Sequence, residues 1–126
     1  MKNQLVMLLT LLFTNLSFAN FIEVGLVEKG EELVSVLSDK NGKTLYTFDV
    51  DSENQSNCHG GCLVTWPALT TELQTLPKPF GVLQRSNGEL QVTLNGSPLY
   101  FFIGDQNPGD INGDNLGGTW HIINFK

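Results

Sequence analysis

Both cysteines of the chain, Cys58 and Cys62, fall in one short run, CHGGC, together with His59, one of its two histidines. Thiols at this spacing can close a small disulfide ring, exchange electrons, or contribute to a metal or haem site. Covalent haem attachment takes C-x-x-C-H, whereas here the spacer is longer and the histidine lies inside it. A zinc site needs four ligands, which leaves only His59 and His121 to join the thiolates, with no second cysteine pair to complete a finger pattern. A structural Cys58–Cys62 disulfide fits the run best. Gly60 and Gly61 can supply the tight turn, an exported chain meets an oxidising compartment, and closing so short a ring stabilises by about 2 kcal/mol through loop entropy. Redox exchange stays open beside it, because His59 next to Cys58 favours the thiolate.

A second candidate site lies in GDINGDN, where Asp110, Asn112 and Asp114 alternate like the first side-chain ligands of a calcium loop. Asn115 stands where such a loop has glycine, and His121 stands where it has a bidentate acid. These four residues, Asp110, Asn112, Asp114 and His121, form a candidate set for calcium or a transition metal, set against solvated turn acids. No cofactor is otherwise expected. No G-x-S-x-G elbow, H-E-x-x-H pair or phosphate loop occurs, so a non-enzymatic protein is expected.

The charge of the chain restricts its partners. The net value is −6, and Arg85 is the only arginine, so nucleic acid and anionic membrane surfaces are excluded. An unknown protein or a small ligand remains. Met1 and Met7 both lie in the expected leader, which leaves no thioether for soft copper or a haem axial position.

The elements that must position these residues begin after that leader. Lys2, an apolar run at 5–13 and the small-residue pattern Ser17-Phe18-Ala19 read as a signal peptide over 1–19, cleaved before Asn20. The run is too short to span a bilayer, and no cysteine near the cleavage point can carry a lipid. A soluble periplasmic or secreted product is expected, without a stable membrane anchor. Residues 20–126 form one domain on the length prior. Asn-Gly occurs at 41–42, 87–88, 95–96 and 112–113, a pair that favours the type I′ hairpin turn. LVSVLSDKNGKTLYTF reads as strand, turn, strand. GVLQRSNGELQVTLNGSPLYFF reads as three strands, and TWHIINF as one more. Pro77 and Pro79 mark a linker or edge segment, and no sustained helical period follows the leader. The fold class is all-β.

The two halves repeat at an offset of 54 positions. Gly42, Leu45, Tyr46, Phe48, Asp51, Thr65 and Trp66 fall on Gly96, Leu99, Tyr100, Phe102, Asp105, Thr119 and Trp120 without a gap. Two units, about 22–74 and 76–126, are therefore expected to share one core as a pseudo-symmetric small barrel or sandwich. Each unit has a hairpin, a Tyr-x-Phe-x-x-Asp strand end, a long loop and a Thr-Trp strand. Alternation puts Tyr46 and Phe48 on one strand face, and Tyr100 and Phe102 likewise. Trp66 and Trp120 return to close an aromatic core, while Asp51 and Asp105 accept backbone N–H groups in turns. The offset also places Cys58–Cys62 over NGDNL, so a disulfide in one unit replaces an Asn/Gly/Asp run in the other.

YTFDVD and YFFIGD, with CHGGC, TWPAL, NGSPLYFF, PGDINGD and GGTWHII, resemble a bacterial family of secreted repeats and lipoproteins of unknown function that carry a Y-x-[FWY]-x-x-D motif. The resemblance implies an extracytoplasmic location and no established reaction. The chain departs from the family's lipoproteins in lacking a lipobox cysteine. The expected role is a non-enzymatic β module that binds or scaffolds, with a periplasmic redox or metal- and haem-handling accessory as the alternative.

Overall fold

A computed structural model describes residues 22–124; the expected leader and its cleavage after Ala19 lie outside the described residues. The chain opens with a hairpin of β1 (Glu23–Lys29) and β2 (Glu32–Ser38), in register from Glu23↔Ser38 to Lys29↔Glu32. Gly30 turns it at φ +64°, a conformation that costs glycine no Cβ clash. Then come β3 (Tyr46–Phe48), a short helix α1 (Gly61–Thr65), β4 (Thr70–Thr71), β5 (Phe80–Gln84), β6 (Leu90–Leu94), β7 (Ser97–Pro98), a 3₁₀ turn at Leu116–Gly118 and β8 (Trp120–Ile122). The strands form three sheets: β1-β2, β3-β8, and β4-β6-β5 with β7 added to β6.

The all-β class and the tandem repeats hold, but among the described residues no sheet closes into a barrel. The reason is strand length. β3 and β8 have three residues each, and β4 and β7 two, too few to carry a closed ladder. The three strands expected around Gly88 and Gly96 are β5, β6 and β7, while residues 72–79 form the linker before β5. Of the four Asn-Gly pairs only Asn95-Gly96 has both residues at positive φ, 51° and 86°, as a type I′ turn requires. The strand expected at Thr65-Trp66 is absent, because Thr65 ends α1 and Trp66 caps it. β2 and β3 are joined as expected by the bridge Ser38↔Thr44, yet β3 takes its ladder from β8.

That last pairing sets the architecture, because each repeat's motif strand pairs with the Thr-Trp segment of the other repeat. Asp49 N–H donates to Thr119 C=O at 2.8 Å, and at the equivalent place Ile103 N–H donates to Thr65 C=O at 2.9 Å. At the centre Tyr46 N–H donates to Tyr100 C=O (2.8 Å) and Tyr100 N–H to Tyr46 C=O (3.0 Å). A pseudo-two-fold axis therefore passes between the two tyrosines. The Asn-Gly turns are exchanged too: Asn54 N–H bonds Gly96 C=O, and Gly109 N–H bonds Gly42 C=O. One apolar cluster contains Leu37, Leu45, Leu69, Val92 and Leu99. The other contains Tyr46, Cys58, Trp66, Tyr100 and Trp120.

Candidate functional site

The motif residues meet across the pseudo-dyad. Tyr46 Oη donates to Asp105 Oδ2 at 2.7 Å, and Tyr100 Oη donates to Asp51 Oδ2 at 2.8 Å. A motif's own tyrosine and aspartate are thus not each other's partners. Asn57 N–H bonds Asp51 Oδ1 at 2.6 Å and Asn112 N–H bonds Asp105 Oδ1 at 2.9 Å, while the two asparagine amides donate to Val50 and Gly104 carbonyls. Burial raises both carboxyls above their ordinary value, opposed by the donors they accept. Burial also lifts both phenols, Tyr100 to about 12. Both tyrosines therefore stay neutral donors. Neither is placed to act as a base near neutral pH.

Between these bonds runs a column of rings. Phe48 stacks on Trp120 at 4.0 Å, Trp120 on Trp66 at 3.8 Å, and Trp66 on Phe102 at 4.4 Å. Tyr46 and Tyr100 meet Trp66 and Trp120 edge-on at 5.3 and 5.2 Å. This is the aromatic core expected from the motif spacing, with both tyrosines and both tryptophans buried and the two phenylalanines half-buried at its ends.

Cys58 and Cys62 are disulfide-bonded. The hydrogen bonds refine the alignment of their loop: Asn57-Cys58 occupies the place of Asn112-Gly113, one residue off the constant offset. A side chain at Gly113 would meet Trp66 at 2.7 Å, whereas Cys58 is buried in the same cluster as the rings. Around it lies a network that sequence reasoning missed. Ser56 Oγ lies 2.6 Å from Tyr100 Oη; since the phenol proton goes to Asp51, the serine is the donor. Arg85 Nη1 donates to Gln91 Oε1 and Nη2 to Cys58 C=O, both at 2.7 Å, and Gln91 Nε2 donates to Leu99 C=O. Two signals were in the sequence: Arg85 is the sole arginine, and Gln91 interrupts an apolar strand.

The candidate metal residues are not brought together. Asp110 Oδ2 accepts Gln106 and Asn107 N–H groups. Asn112 serves Asp105 and Gly104. Asp114 pairs with Lys29 Nζ at 2.8 Å and accepts Ile122 N–H, and His121 Nε2 lies 2.8 Å from Asp49 Oδ2. Among the described residues no three His, Cys, Asp or Glu side chains are grouped to hold a metal ion.

The two ends of the ring column differ. At the Phe102 end a groove is lined by Lys43, Thr44, Pro67, Phe101, Phe102, Ile103 and Asp105. At the related place the repeat puts Thr47 for Phe101, Asp49 for Ile103 and His121 for Pro67, and Asp49 and His121 bond to each other. One end is a groove with Pro67, Phe101 and Ile103 in its wall beside Lys43, Thr44 and Asp105; the other carries the Asp49–His121 pair.

The family described as a secreted repeat of unknown function matches residues 28–70 and again 81–124. No curated protein and no solved structure matches the chain. No helix among the described residues is long and apolar enough to cross a membrane.

Proposed function

From the premise that the chain belongs to the family of secreted repeats of unknown function, we propose that it is a non-enzymatic binding module whose groove beside Phe102 takes a small flat aromatic molecule. The observation that carries this reading is the asymmetry just described: duplication supplies an internal comparison, and the Phe102 end has Pro67, Phe101 and Ile103 where the other end has His121, Thr47 and Asp49. One face of Phe102 stacks on Trp66 and Gly104 packs closely on the same ring, so a bound ring would pack against the part of Phe102 that faces the groove. Such stacking contributes about 0.5–1.5 kcal/mol beyond burial. Lys43 and Thr44 in the lining supply the few polar groups that orient a ligand in such a site. The Tyr-Asp pairs are the frame of this module, and the disulfide is a staple on one of its loops.

The test uses indole as the probe and backbone amide NMR as the readout. Saturable shifts confined to Thr44 and the Phe101 to Ile103 stretch, lost in Ile103→Glu, are the expected result. No saturable shift, or equal shifts at Phe48 and Asp49, overturns the reading.

A further inference from the structure

Arg85 is 8% exposed, yet it has no carboxylate within ion-pair distance among the described residues. Both of its hydrogen bonds go to neutral acceptors, Gln91 Oε1 and the Cys58 carbonyl. Buried arginines are ordinarily paired with an anion, and a guanidinium carries more N–H donors than these two bonds use. Arg85 lines a cleft separate from the Phe102 groove, between the loop at 54–59 and the end of β5. Ser56, His59, Gln84 and Ser86 line it with Arg85. Asp51, which feels the charges of Arg85 and His59, is engaged elsewhere: it accepts Tyr100 Oη and Asn57 N–H.

From this geometry we infer that the cleft is a binding site for a small oxyanion, the carboxylate or phosphate group of a ligand, with Arg85 as its principal donor and His59, Ser86 and Gln84 around its mouth. A guanidinium fork matches both anions. The acidity of the whole chain does not preclude this, since exposed charges beyond about 8 Å are largely screened at physiological salt. At the wall of a cleft the local cation dominates.

The experiment titrates the mature protein with sodium acetate and, separately, inorganic phosphate, against chloride at constant ionic strength and pH, while NMR follows the Arg85 side chain and the amides of Ser56, His59 and Ser86. A saturable shift with either anion is expected, and which anion binds tighter distinguishes a carboxylate from a phosphate ligand. Arg85→Gln should weaken binding roughly tenfold or more, the loss expected for a charge-assisted hydrogen bond. Because that variant also removes a buried structural contact, Gln84→Glu provides a second test. Residue 84 is exposed, and a carboxylate there repels the ligand while leaving the core untouched, so the same weakening is expected in a protein that melts like the parent. Absence of a saturable shift with both anions, or binding unchanged in Gln84→Glu, overturns the site.

Discussion

Each motif tyrosine makes one bond that a phenylalanine cannot. Tyr46→Phe and Tyr100→Phe keep the edge-on ring contacts but remove the hydroxyl donors to Asp105 and Asp51. Leaving a half-buried carboxyl short of a donor costs about 1–3 kcal/mol, so each variant should unfold at correspondingly lower denaturant. Tyr→Ala also empties the ring's place in the core and should cost about 3–5 kcal/mol, the range for large aromatics. The same residues set the alkaline limit. Both phenols are raised above the ordinary value of 10.0, Tyr100 to about 12, so the folded protein holds protons that the unfolded chain releases. Their contribution is complete below pH 10; that of Tyr100 is lost as pH rises through about 12, and that of Tyr46, which is raised further, at still higher pH. Denaturant melts between pH 8 and 12 should show this decline, and the double Tyr→Phe variant should flatten it.

At the scale of the elements, the two loops between the motif aspartate and the Thr-Trp segment solve one problem in two ways. Each must present an Asn N–H to an aspartate and place a small or apolar group against the rings. The second loop does so with Gly113, where even a Cβ meets Trp66 at 2.7 Å. Gly113→Ala should therefore destabilise by about 1–3 kcal/mol, the cost of overpacking, and displace the indole stack, read as a change in near-ultraviolet circular dichroism. The first loop uses Cys58, bonded to Cys62. Since the second loop holds without sulfur, Cys58→Ala with Cys62→Ala should leave a native fold that melts lower, by about 2 kcal/mol or roughly 10 °C. A spectrum that becomes unfolded would count against the staple. The sequence made the equivalence of these loops visible but missed its register. A fixed offset sees matching residue types, while the extra residue before Gly109 and the one regained before Thr65 are visible only through the Asn57 and Asn112 bonds. The same limit hid α1, whose five residues are too few for a helical period to emerge.

At the scale of the whole molecule, the aromatic positions, the aspartates and most hairpins were legible because strand alternation and turn chemistry are local. Partner choice was not legible, because pairing between distant segments leaves no mark on either one alone. The motif looks self-contained in sequence, with its tyrosine five residues from its aspartate, yet in space each tyrosine bonds the other repeat's aspartate and each motif strand pairs with the other repeat's Thr-Trp segment. A repeat taken alone keeps only its local hairpins, such as β1-β2 or β5-β6, and two-stranded hairpins are marginal in water. The linker at 72–79, by contrast, is mostly exposed and contributes no strand. Cutting it, for example at a protease recognition sequence inserted between the exposed Gln74 and Thr75, should thus leave two fragments that co-elute as one native particle with the tryptophan environment of the intact chain. Separated in denaturant, each should be unfolded by circular dichroism, and mixing them should restore the native spectrum at a rate that depends on concentration. An isolated fragment that folds by itself would mean that each repeat has its own core, and that the exchange of strands across the dyad is not what holds the molecule together.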